Sequence, residues 1–82
     1  MGAMSPTVFR EQGFRFYFFS KEEDRMHVHV FHANGPLKTW MAPNIEIAKN
    51  LGLPEHRVRS VLDIVHERQE EIRKAWHEHF SS

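Results

Sequence analysis

The sequence predicts a single α+β domain, in which a three- to four-stranded antiparallel β-meander packs against two C-terminal helices, the second of them long. Apolar and polar residues alternate with a period of two up to Pro43, and beyond it apolar residues recur about every 3.6 positions. A chain of 82 residues is long enough for one core and too short for two domains. We assign residues 4–80 to the domain and residues 1–3, which precede Met4, to a cloning remnant.

Aromatic and β-branched residues mark the predicted strands. We expect these strands at residues 7–9, 14–19, 26–32 and 37–41. Alternation places the phenylalanines at positions 14, 16 and 18 on one side of the sheet, and Val28 and Val30 are expected on the same side. That side should face the core.

The opposite side of the sheet is the first candidate site. It collects Arg15, Tyr17, His27 and His29. A guanidinium binds phosphate, while imidazoles and a phenol can act as acid and base, so these groups permit binding and metal-free cleavage of RNA without establishing either. The alternative is that the histidines are surface residues on a solvated sheet. Lys38 and Trp40 belong to one of the two sides, but a one-residue shift in register would exchange them.

Beyond Pro43, the recurrence of apolar residues about every 3.6 positions indicates helices. A short helix is predicted over residues 44–50 and is ended by Gly52. A helix of about seven turns is predicted over residues 54–79, with an apolar stripe that only Gln69 interrupts. Its last turns should fasten onto the sheet.

This helix pair also suggests a DNA-binding alternative. Ala48, Gly52 and Val58 have the spacing of a helix-turn-helix, which would present Arg57 and Arg59 to a DNA groove. The chain is electroneutral, with 11 basic and 11 acidic residues, and the second helix is longer than most recognition helices. A generic helical hairpin is therefore the favoured interpretation.

Composition excludes several other classes. The chain contains no cysteine, so it has neither disulfides nor thiolate metal ligands, which suits a reducing cytoplasm. No apolar run approaches the ~20 residues of a membrane span, so no membrane association is expected. His27 and His29 could begin a zinc site, but sequence supplies no third ligand. We therefore predict no metal and no cofactor.

Six segments together resemble a bacterial family of unknown function, DUF4160. They are SPTVFR (residues 5–10), GFRFYF (13–18), HVHV (27–30), KTWMAP (38–43), LGL (51–53) and WHEHF (76–80). The family's His-x-His-Val strand corresponds to His27, His29 and Val30, and its Gly-x-Arg strand corresponds to Gly13 and Arg15. Its aromatic residue before the proline turn corresponds to Trp40.

The resemblance implies a small cytoplasmic protein encoded beside a second small protein. The pair looks like a type II toxin-antitoxin module of which this chain is the toxin-like member. The leading hypothesis is thus a growth inhibitor neutralised by a small cognate protein, with RNA as a candidate target. A third hypothesis is a non-enzymatic interaction module in which Tyr17 and Trp40 form a homo-oligomer or partner surface.

Overall fold

Five strands and then two helices follow one another along the chain. The computed structural model describes residues 7–19 and 24–80, so the segment assigned to a cloning remnant lies outside the described residues. The elements are β1 (Thr7–Glu11), β2 (Phe14–Tyr17), β3 (His27–His32), β4 (Gly35–Trp40), β5 (Glu46–Asn50), α1 (Glu55–Glu67) and α2 (Gln69–Phe80). Each strand pairs antiparallel with its neighbour in the order β1-β2-β3-β4-β5. The predicted α+β class is confirmed, but the meander has five strands rather than three or four.

Strand β5 occupies the segment for which a short helix is predicted. The prediction of a helix over residues 44–50 is wrong, because β5 pairs with β4, with Ile47 opposite Thr39 and Asn50 opposite Leu37. A helix of this length has little stability of its own, since few hydrogen bonds offset the cost of nucleation. The edge of β4 offers a row of backbone partners, and the β-branched Ile47 packs against the core there.

The long helix expected over residues 54–79 is divided at Arg68. This residue has φ −111° and ψ 25°, which are not helical values, although its N–H still donates to the Ile64 carbonyl at 2.9 Å. Its guanidinium donates to a Glu11 carboxylate oxygen at 2.9 Å and lies 3.5 Å from the centre of the Phe9 ring. The hydrogen bond to Glu11 is the main reason that the pKa of Arg68 is raised. These contacts fasten the helix corner to β1.

Both helices cover the same side of the sheet. The buried apolar residues form one cluster, made of Phe9, Phe14, Phe16, Phe18, Val28, Val30, Leu37, Met41, Leu53, Val61, Ile64, Val65, Ile72 and Trp76. The expectation that the phenylalanines at positions 14, 16 and 18 share the core with Val28 and Val30 is confirmed. The rings of Trp76 and Phe80 lie 5.5 and 5.8 Å from the Phe18 ring, so the end of α2 is fastened onto the sheet as expected.

Two glycines bring the β3–β4 turn against the corner between β5 and α1. Gly35 has φ 144° and Gly52 has φ 130°, a region that side chains rarely adopt. A Cβ on Gly35 would collide with the Leu51 carbonyl oxygen, and a Cβ on Gly52 would collide with the Asn34 carbonyl oxygen. Because these obstacles are backbone atoms, they cannot rotate away.

Substituting Gly35→Ala should therefore lower the free energy of unfolding by about 3 kcal/mol. Gly13→Ala is the matched control, because Gly13 has φ 84° but no described atom closer than 3.9 Å to an added Cβ, so only backbone strain of about 1 kcal/mol applies. Urea denaturation followed by circular dichroism measures both. Equal losses of unfolding free energy in the two variants would contradict the close approach of the Leu51 backbone to Gly35.

Arg68→Ala should lower the free energy of unfolding by about 1 to 2 kcal/mol, because it removes a charged hydrogen bond and a ring contact that join the helices to β1. Arg59 makes a solvent-exposed pair with Glu55 at 3.5 Å, and Arg59→Ala should change stability by no more than about 0.5 kcal/mol. The same denaturation measurement compares them. If Arg68→Ala lowers the free energy of unfolding less than Arg59→Ala does, the contacts of Arg68 do not stabilise the attachment of the helices to β1.

Candidate functional site

The side of the sheet opposite the helices carries aromatic and basic side chains. We call it the open face and define it by Arg15, Tyr17, His27, His29, Phe31, Lys38, Trp40 and Lys49. The four residues predicted to share one side of the sheet do share it. The pairing also settles the side on which Lys38 and Trp40 lie, because Lys38 is opposite His29 and Trp40 is opposite His27.

One row of the open face crosses four strands. Tyr17 lies opposite His29, His29 opposite Lys38, and Lys38 opposite Lys49. Neighbouring strands are about 4.8 Å apart, so successive members of this row are close enough to act on one ligand. The row presents a phenol, an imidazole and two ammonium groups in sequence.

The Tyr17 ring is the centre of an aromatic and cationic stack. It is stacked on the His29 ring, with centroids 5.4 Å apart and an interplanar angle of 26°. The Arg15 guanidinium lies 4.5 Å from the centre of the Tyr17 ring, and its Nε donates to the Thr7 hydroxyl at 2.7 Å. Arg15, Tyr17 and His29 are all partly exposed. A ligand can therefore reach a cation and a phenol beside a partly exposed imidazole, whose Nε2 atom is buried.

Trp40 carries a second set of cation contacts. The Arg25 guanidinium lies 4.1 Å from the centre of a Trp40 ring, and the Lys38 ammonium lies 4.7 Å from it. The Arg25 Nε also donates to the Ala42 carbonyl at 2.7 Å, which holds the side chain against the sheet. Lys38 is thus shared between the four-strand row and Trp40, and Arg25 adds a further positive charge beside the row.

His27 belongs to the open face by its register, but its side chain is buried. Its relative exposure is 1%, and its Nδ1 is 2.7 Å from the Arg25 carbonyl oxygen. Its ring is 5.1 Å from the Trp76 ring and 5.9 Å from the Trp40 ring. The two predicted imidazoles thus have different environments: His29 is partly exposed with its Nε2 atom buried, whereas His27 is almost fully buried and supports the end of the sheet.

Three exposed apolar side chains lie on the open face or at its edge, and the sequence did not single them out as candidate site residues. Phe19, Phe31 and Leu51 are 51%, 54% and 55% exposed, and they are the large exposed hydrophobic residues of the described chain. Strand alternation does place Phe19 and Phe31 on this side, which was the available signal. Such a cluster is typical of a surface that binds another molecule.

A shallow depression of about 280 Å³ lies at one end of the row. It is lined by His29, Pro36, Leu37, Lys38, Lys49 and Leu51. Within residues 7–19 and 24–80, no carboxylate lines it. Its lining combines two lysines and an imidazole with apolar side chains.

The alternative DNA-binding residues lie elsewhere. Arg57 and Arg59 are on α1, away from the open face, and Arg59 pairs with Glu55. The segment expected to be the first helix of a helix-turn-helix is strand β5. DNA binding by these arginines stays a prediction, but the helical pair that suggested it is not formed.

Two other features, a metal centre and a membrane-crossing helix, are not formed by the described residues. No three His, Cys, Asp or Glu side chains there come close enough to hold a metal ion. Neither α1 nor α2 has the length and apolar character that a membrane crossing requires.

These features define a small α+β protein whose five-stranded meander exposes an aromatic, cationic face opposite its helices. A family model described as "Domain of unknown function (DUF4160)" matches residues 13–77. The chain belongs to this family, as the resemblance of its segments indicated. Comparison with curated proteins and with solved structures found no match in either set.

The different environments of the two imidazoles predict different costs of removing them. His27→Ala should lower the free energy of unfolding by about 2 to 3 kcal/mol, because it leaves a cavity beside Trp76. His29→Ala should cost about 1 kcal/mol or less, because its site is partly exposed. Thermal or urea unfolding of the two variants tests this difference, and the reverse order would show that His27 is not the supporting residue.

Proposed function

We propose that this protein is the toxin-like member of a two-protein bacterial module and that it inhibits growth by binding RNA through the open face. The observation that supports the proposal most is the stack of Arg15, Tyr17 and His29 beside Lys38. Aromatic rings stack on exposed bases, and cations beside them contact the phosphates of a single strand. The open face offers both kinds of group at adjacent positions.

The geometry favours RNA binding over cleavage by paired imidazoles. Metal-free cleavage needs a base and an acid that both reach the substrate. His29 is only partly exposed, with its Nε2 atom buried, and His27 is buried against two tryptophans. We therefore assign Arg15, Tyr17 and His29 to ligand contact and His27 to the support of that surface.

The same face is the proposed docking surface of the small cognate protein. Phe19, Phe31 and Leu51 supply exposed apolar area around a basic centre. An acidic partner with apolar anchors would complement this surface in both respects. Such a partner would neutralise the protein by excluding RNA from the residues that contact it.

Induced expression in a bacterial host should slow growth, and Arg15→Ala or Tyr17→Ala should restore growth at the same level of soluble protein. The reason is that each change removes a group from the open face and leaves the core intact. Optical density after induction, with protein quantified in the soluble fraction, is the measurement.

Arg59→Ala is the matched control for this assay, because Arg59 is an exposed arginine on a helix outside the open face. It should inhibit growth as the parent chain does. No growth effect of the parent chain would sink the proposal. Loss of inhibition in Arg59→Ala but not in Arg15→Ala would instead favour the DNA-binding alternative.

A further inference from the structure

We propose that Phe31 is the principal base-stacking residue of the open face and that it selects single-stranded over double-stranded RNA. This inference rests on the proposed function in placing RNA on the open face. It goes further in naming the ring that holds a base and the class of RNA that can use this ring. The sequence did not single out Phe31 for that role.

Phe31 lies on the middle strand of the sheet rather than at an edge. It belongs to β3, and its neighbours on β2 and β4 are Arg15 and Pro36. Its side chain is 54% exposed although strands flank it on both sides. Contact of so much apolar ring with water is unfavourable, so a flat ligand that covers the ring would gain free energy.

Two other rings of the open face already have cations against them. The Tyr17 ring is contacted by the Arg15 guanidinium and the His29 ring, and the Trp40 ring is contacted by two cations. In the part of the chain that the structure describes, no ring contact or cation–π contact involves Phe31. A base can therefore stack on Phe31 without competing with a protein group.

Basic groups follow Phe31 along one row of the sheet toward β1. Arg15 is opposite Phe31, and Arg10, which is exposed, is opposite Arg15. A guanidinium has five N–H donors, so Arg15 can reach a phosphate while its Nε keeps the hydrogen bond to Thr7. A nucleotide carries a flat base and a phosphate, and it therefore matches a ring that has guanidinium groups in the same row.

A protein segment and an RNA strand would use different parts of this row. Beyond Phe31 the row continues to Pro36 and then to Leu51, whose N–H donates to the Pro36 carbonyl at 3.0 Å. An apolar protein segment would use all three side chains in proportion to their apolar area, and it would make no use of the arginines. A base would use the flat ring of Phe31, with its phosphate toward the arginines. The arginines are the reason that we favour a nucleotide.

The Phe31 ring can accept only an unpaired base. Inside a duplex the faces of each base are stacked on its neighbours, so proteins read single strands, loops and ends by stacking. Aromatic rings on the open side of a sheet are a known platform for such bases. Every base has a π face, so the site should show little preference among the four bases.

Binding of a fluorescein-labelled oligouridylate, measured by fluorescence anisotropy, tests the role of Phe31. At about 0.1 M salt, Phe31→Leu should weaken binding about tenfold, because leucine keeps an apolar side chain but has no flat ring. The slope of log affinity against log salt concentration should stay the same, since no phosphate contact is lost. Phe31→Trp should bind at least as tightly as the parent chain, and a blunt RNA duplex should compete about tenfold less well than the single strand.

Leu51→Ala is the matched control, because Leu51 is an exposed apolar side chain of the same row and has no ring. It should bind RNA as the parent chain does. Arg10→Ala should weaken binding and also lower the magnitude of the salt slope by about 0.7, as the loss of one phosphate contact does. Urea denaturation verifies that these variants remain folded, as expected for exposed side chains.

Four outcomes would overturn the role of Phe31: no RNA binding by the parent chain, unchanged affinity in Phe31→Leu, equal losses of affinity in Phe31→Leu and Leu51→Ala, or equal affinity for the single strand and the duplex. The growth assay distinguishes this failure from failure of the proposed function. If Tyr17→Ala abolishes growth inhibition and RNA binding while Phe31→Leu binds RNA normally, only the role of Phe31 is wrong. If Phe31→Leu loses RNA affinity but the parent chain never slows growth, the stacking role stands and the toxin-like role is wrong.

Discussion

The register between β3 and β4 is the constraint on which the open face depends. Leu37 and Thr39 are buried at 2% and 0% exposure against the helical layer, and their burial fixes the sides on which Lys38 and Trp40 lie. A slip of one residue would turn those cationic and aromatic groups into the core. The chemistry of the open face is thus determined by packing on the opposite side of the sheet.

The composition of the open face was largely predictable from sequence, because strand alternation is a local property. Arg15, Tyr17 and His29 needed only the period of two along their own strands. The burial of His27 was not predictable in the same way, since it depends on Trp76, which arrives from the other end of the chain. Contacts between distant segments decide exposure, and a single sequence does not specify them.

Prediction of the second half of the chain was limited in the same way by contacts between distant segments. Ile45 and Ile47 alternate as in a strand, whereas Ile47, Ala48 and Leu51 have the spacing of a short helix, and the free edge of β4 decided between the two. The break between α1 and α2 did leave a local signal, because Gln69 interrupts the apolar stripe immediately after Arg68. The cause of the break, however, is the contact of Arg68 with β1, which again joins distant parts of the sequence.

The cations of the open face have a role in the free protein as well as in the proposed complex. Arg15 lies over the Tyr17 ring, and Arg25 and Lys38 lie against Trp40, so charged groups cover aromatic surface that would otherwise favour aggregation. A small domain with helices on one side of its sheet leaves the other side uncovered, and this coverage by cations limits association through it. If RNA binds here as proposed, a base can take the place of a cation on the ring while that cation moves to the adjacent phosphate. Such an exchange would preserve the contacts of both groups, so the same arrangement of cations and rings suits the free protein and the proposed complex.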